Sequence, residues 1–173
     1  MTHAPATPLS RSTTTARLLT RASWLAAALV AAMFGLYVAT GVGQDPLQYV
    51  HPSAAYDALL RASPATLRLT IGLDNLFVVA YTIVFAALCI RFRAVGAHRQ
   101  LTLLAGALLG ATALLDIVEN VHFLTMISAA EQGLRIGDGE IRSQVVESMI
   151  KFHCSYLGLV LFGLLLPPVS KLA

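Results

Sequence analysis

The chain has 173 residues, of which 57% are hydrophobic and 12% charged, and its mean hydropathy is +0.72. A soluble domain carries about 25% charged residues. These values exclude a disordered chain, a coiled coil and a nucleic-acid-binding domain, and they disfavour an ordinary soluble globule. What remains is an all-α membrane protein. The formal net charge of +3 then reads as topology, because Lys and Arg collect on one side of a bilayer.

Residues 1–20 are rich in Ser, Thr, Ala and Pro and predict a disordered, basic N-terminal tail. The first apolar run covers about residues 22–42. Arg11, Arg17 and Arg21 precede it, as in a signal peptide. The run exceeds an h-region of about 7–15 residues, and Val38-Ala39-Thr40 is a poor cleavage site, so an uncleaved helix is expected. Residues 43–63 form an outer loop with turn signals at Asp45-Pro46 and His51-Pro52. Within it SAAYDALLRA puts Tyr56, Leu59 and Leu60 on one side, as in a short interfacial helix.

The second run spans about residues 69–90, with Ser63-Pro64 ahead of it as cap and first turn. The link RFRAVGAHR makes a hairpin with the third run, about residues 101–127. Gly106 and Gly110 give that run a G-x-x-x-G pattern, which permits close helix approach but is common in membrane helices. Residues 128–147 read as a second outer loop, because Gly133, Gly137 and Gly139 mark turns. The fourth run, about residues 149–166, stops at Pro167-Pro168, and residues 169–173 form a short tail. One domain, residues 21–168, is thus expected as a bundle of four transmembrane helices. Trp24 and Tyr49 suit interface anchors, and Cys89 and Cys154 fall near opposite faces and are not expected to pair.

Of the 12 Lys and Arg, Arg11, Arg17, Arg21, Arg91, Arg93, Arg99 and Lys171 lie on one side. Arg61, Arg68, Arg135 and Arg142 lie on the other, diluted by acids, and Lys151 lies inside the fourth run. Both termini are therefore expected in the cytoplasm of a multi-pass inner (plasma) membrane protein, with residues 43–63 and 128–147 outside.

Ionisable residues within the apolar runs are costly and face a bundle interior or a cavity. At a rise of about 1.5 Å per residue, Asp74, Asp116 and Lys151 each lie about 25 Å from the cytoplasmic end of their helices, and Tyr37 lies at a similar depth. Asp116, Glu119 and Asn120 share a face with Thr112 and Phe123. Asp74 is followed by Asn75 and shares a face with Val78 and Tyr81. Lys151 shares one with Cys154, Ser155 and Gly158, and Glu147 stands in the favourable order for an i, i+4 pair with it.

Three acids against one lysine leave charge to be protonated, hydrated or neutralised by something bound. Tyr37, Asp74, Asn75, Asp116, Glu119, Asn120 and Lys151 are therefore the candidate ligand or proton site. A metal finds only weak candidates in Asp116, Glu119 and His122. No cofactor is identified. Haem is disfavoured, since His122 and His153 sit at depths of about 34 and 21 Å.

Three functions fit. One is a binding site for a small apolar, cationic or lipid-like ligand or for protons. Another is a non-catalytic accessory subunit whose polar cluster holds the helices together. The third is a membrane-embedded enzyme with Asp116 or Glu119 as acid/base. The expected partners are the lipid bilayer and other membrane subunits, with no nucleic acid.

Overall fold

The computed structural model describes residues 8–48, 52–94 and 98–166. These residues form five α-helices, one 3-10 turn at Asp45–Gln48, and no strand. The helices are α1 (Pro8–Thr40), α2 (Ser53–Ala62), α3 (Pro64–Ala94), α4 (Arg99–Glu131) and α5 (Asp138–Leu165). Four of them, α1, α3, α4 and α5, are long and apolar enough to cross a membrane. The protein is thus all-helical and of multi-pass membrane type. The expected Tyr49 anchor, the His51 turn residue and the Pro167-Pro168 stop lie outside the described residues.

The helices outrun the apolar segments that announce them. α1 begins at Pro8, so residues 8–20, expected to lack fixed structure, are helical. Ala, Arg and Leu in that stretch are good helix formers, and a helix nucleated in the apolar run propagates back through them. Pro64 opens α3, and the Ser63 carbonyl accepts a hydrogen bond from the Leu67 amide at 3.0 Å. The larger departure is α5, which starts at Asp138 rather than Met149. The outer loop expected over residues 128–147 shrinks to residues 132–137. Gly133 takes a positive φ there and ends α4, whereas Gly139 sits inside the first turn of α5. Ile141, Gln144, Val145 and Ser148 are all buried and recur at helical spacing. This stripe is what makes the polar stretch helical.

A hydrocarbon slab of about 30 Å measured from Arg99 reaches only to the region of Glu119. α3, α4 and α5 are thus each longer than one crossing needs, at the end away from the link between α3 and α4. There they join α2 and the 3-10 turn in a cap with its own core, including Leu47, Tyr56, Leu60, Ile71, Phe123, Met126, Ile127, Ile136 and Ile141. So α2, expected as an interfacial helix with Tyr56, Leu59 and Leu60 on one side, buries Tyr56 and Leu60 against protein and leaves Leu59 exposed. Polar ties fasten the cap. Asp57 Oδ1 accepts from the Ile136 amide at 3.2 Å, Arg61 donates to the Leu134 carbonyl at 2.9 Å, and Arg68 pairs with Glu131 at 2.7 Å.

Below the cap, apolar side chains such as Trp24, Phe34, Leu76, Leu114 and Leu164 are exposed, as suits lipid-facing surfaces, while the polar ones turn inward. α1 packs along α3, α3 along α4, and α4 along α5, but α1 and α5 share no comparable contact. Cys89 and Cys154 are both free thiols. Two glycines sit tightly against neighbouring side chains. A Cβ on Gly158 would stand 2.7 Å from Leu109 Cγ, and one on Gly106 would stand 2.9 Å from Cys89 Sγ. Gly110, the other half of G-x-x-x-G, has nothing within 4 Å.

Two substitutions test this packing with opposite signs. Gly158→Ala should destabilise by about 1–3 kcal/mol through overpacking. Gly110→Ala should stabilise by about 0.5–1 kcal/mol, because it meets open space and gains helix propensity. Reversible unfolding in detergent micelles measures both.

Candidate functional site

At the level where the cap meets the spanning helices, α4 and α5 face each other across a set of polar side chains. Asp116, Glu119 and Asn120 project from one face of α4, and all three are buried. Lys151 comes from α5. Its ammonium donates to Glu119 Oε2 and also lies 2.9 Å from Asp116 Oδ1. One cation thus bridges two carboxylates.

The carboxylates are held from their other sides as well. Tyr81 of α3 donates its hydroxyl to Asp116 Oδ2 at 2.5 Å. Ser148 donates to Glu119 Oε1, and the Gln144 amide donates to the same oxygen at 3.1 Å. Gln48, at the end of the 3-10 turn, adds a longer bond at 3.5 Å. Tyr56 of α2 donates in turn to Gln144 Oε1 at 3.3 Å. Burial first, then the carboxylates of Glu119 and Glu140, hold the Tyr56 phenol above its ordinary range. It therefore stays a neutral donor. Glu119, at 1% exposure, is saturated by donors.

Asp74 stands apart from this set. Its Oδ2 accepts from Asn120 Nδ2 at 2.8 Å, and the same amide nitrogen lies 3.1 Å from Asn75 Oδ1. The pairing with Asn120 puts Asp74 about one turn nearer the cap than Asp116. Straight helices of equal depth do not anticipate this offset. Asn120 Oδ1 is buried with no hydrogen-bond donor, as Gln44 Nε2 is without an acceptor.

The structure therefore brings Asp116, Glu119 and Lys151 into contact and joins Asp74, Asn75 and Asn120 in an adjacent group. Tyr37 is not in this bonded set, and its ring lies at Gly43. Glu147 does not pair with Lys151. It meets His122 Nδ1 at 3.1 Å, and Glu140 lies 3.9 Å from the other ring nitrogen. His122 thus points to α5 rather than to Asp116 and Glu119. Among the described residues no group of three His, Cys, Asp or Glu side chains could hold a metal ion. His153 sits back on the Met149 carbonyl at 2.7 Å.

Gln48, Tyr56, Tyr81, Gln144 and Ser148 join the network without being among the expected site residues. The spacing of Gln144, Ser148 and Lys151, at i, i+4 and i+7, is the signal that reveals the last two.

A cavity of about 640 Å³ opens beside the network. Asp74, Tyr81, Asp116 and Lys151 form part of its wall, with Phe34 and Tyr37 of α1 and Phe152 and Ser155 of α5 across from them. Glu119, Asn75 and Asn120 are not part of that wall. Comparison with protein-family models, curated proteins and solved structures found no match to this chain.

Removing the shared cation tests the coupling. Lys151→Met leaves two buried carboxylates facing each other and should cost about 3–5 kcal/mol of stability. In an Asp116→Asn background the cost should be clearly smaller, because one of the two charges is already gone. A four-protein unfolding cycle gives the difference, and equal costs in both backgrounds would refute the shared bridge.

Proposed function

We propose that the protein binds a small apolar, lipid-like or cationic ligand, or protons, within its membrane domain. The observation that carries this reading is the 640 Å³ cavity whose wall includes Asp74, Asp116 and Lys151. A mostly apolar pocket with a few convergent polar groups is the usual form of a small-molecule site. The wall has more acid than base, which favours a cation or a proton over an anion.

The protein is read as a bundle of four spanning helices in an inner (plasma) membrane, with both termini cytoplasmic. It works among lipid and alongside other membrane subunits. The charge distribution supports this orientation. Arg91, Arg93 and Arg99 flank the link between α3 and α4 without acids nearby in sequence. On the opposite side Arg68 is paired with Glu131.

A second reading rests on the completeness of the Lys151, Asp116 and Glu119 network, which suits a subunit that uses buried charge only to hold its helices together. An enzyme is the third reading. For it Asp116 is better placed than Glu119, because Asp116 borders the cavity and Glu119 lies behind it.

Two experiments separate these readings. In a cysteine-free background, Leu134→Cys should react with a membrane-impermeant maleimide from outside, and Gly96→Cys only from inside. The reverse pattern would overturn the orientation. For the pocket, neutral decanol should saturate one site on the protein in nanodiscs, and Ser155→Trp should weaken it by about tenfold or more by filling the space. If neutral, cationic and anionic decyl probes all fail to bind the wild-type protein, the helix-holding reading stands instead.

A further inference from the structure

The cavity has a polarity axis. At its cap end the wall is Gln44, Asp45, Gln48, Asp74 and, just below, Asp116 with Lys151. At the other end it is Val30, Phe85, Leu109 and Leu159. The helices run consistently in this respect. From Asp74 to Phe85 along α3 is about 16 Å at the usual rise, a distance suited to a medium-length alkyl chain. The two flanking walls come from α1 and α5, the helices that do not pack on each other. The apolar end is thus bounded by a gap between two helices rather than by a helix contact.

The charges at the polar end select a sign. The single ammonium of Lys151 is shared between Asp116 and Glu119. An anionic head would find no spare cation there. The Asp74 carboxylate accepts from the neutral amide of Asn120. A carboxylate that borders the cavity and is held by a neutral amide calls for a group with positive charge and N–H bonds. Phe77 and Tyr81, which border the same space with rings 5.2 Å apart, add aromatic faces that favour a cation.

We propose that the cavity holds a single-chain amphiphile with a protonated amine head. The head sits against Asp74 at the cap end, and the chain runs inward between α1 and α5. This rests on the binding reading above and names its ligand class. The gap between α1 and α5 gives the amphiphile a route to its seat from the bilayer.

The test compares decylamine, decyltrimethylammonium, decanol and decyl sulfate on the full chain in nanodiscs, read by native mass spectrometry against empty nanodiscs. Decylamine should bind about tenfold more tightly than decanol, and decyl sulfate most weakly. Decyltrimethylammonium, which keeps the charge but has no N–H, should fall between decylamine and decanol. Asp74→Asn should bring decylamine and decanol to within about threefold of each other. The wild-type series decides the head group even if that variant fails to fold.

Equal binding of decylamine and decanol to the wild-type protein would overturn the amine assignment and leave the pocket intact. Tightest binding by decyl sulfate would do the same. Absence of binding by all four would remove both the assignment and the pocket. A decylamine with a photoreactive group at the chain end should label α1, α3 or α5 near Val30, Phe85 or Leu159. Labels confined to α2 or the residue 132–137 turn would overturn the seating.

Discussion

One lysine ammonium, lodged between two carboxylates where the long apolar helices meet the cap, constrains the whole of the cap end of this protein. Taking an ion out of water costs several kcal/mol even after relaxation, and attraction to a partner offsets this only when remaining lone pairs and protons are also satisfied. Lys151, Asp116 and Glu119 meet that condition by drawing donors from three elements. Tyr81 comes from α3, Ser148 and Gln144 from α5, and Gln48 from the 3-10 turn. Remove any of these elements and a buried oxygen loses a donor.

The cap follows from the same constraint. A polar layer at the bilayer boundary would be flooded with water unless covered, and α2 covers it. Tyr56 is fully buried, and its hydroxyl reaches Gln144 while its ring packs in the apolar core above. The cap is therefore both a small soluble-like core and a lid of hydrogen-bonding groups over the network. On the membrane side the protection is unequal. Glu119 is sealed, but Asp74 and Asp116 border the cavity. The network thus has a structural back and an accessible front. For this reason a helix-holding role and a binding role can coexist in one set of residues.

Much of this was legible from residue spacing. The apolar runs announce the four long helices, and the coincident depths of Asp116 and Lys151 announce their contact. SAAYDALLRA announces α2, although of the expected face of Tyr56, Leu59 and Leu60 only Tyr56 and Leu60 are buried. What hydropathy conceals lies past the ends of the apolar runs. Beyond that boundary hydropathy no longer marks a helix, and the glycines and charges of residues 133–147 resemble a loop. The helical stripe of Ile141, Gln144, Val145 and Ser148 is short and half polar, so it is recognisable only when read as the continuation of Lys151's own face. Partner choice was harder still. Glu147 has the right spacing for Lys151, yet His122 on the neighbouring helix takes it. Sequence distance along one helix says nothing of a competitor across the interface.

The placement of Lys151 on the last described helix bears on how the protein is made. A chain that enters the membrane from its N-terminus delivers α3 and α4 first, and with them Asp74, Asp116 and Glu119. The Asn120 to Asp74 hydrogen bond and the Tyr81 to Asp116 hydrogen bond lie within that hairpin. The ammonium, Ser148 and Gln144 arrive only with α5. Until then two acids await their counter-charge, and α4 is a poorer guest of the bilayer than its hydropathy implies. The hairpin of α3 and α4 thus depends on α5 for the counter-charge of its two buried carboxylates.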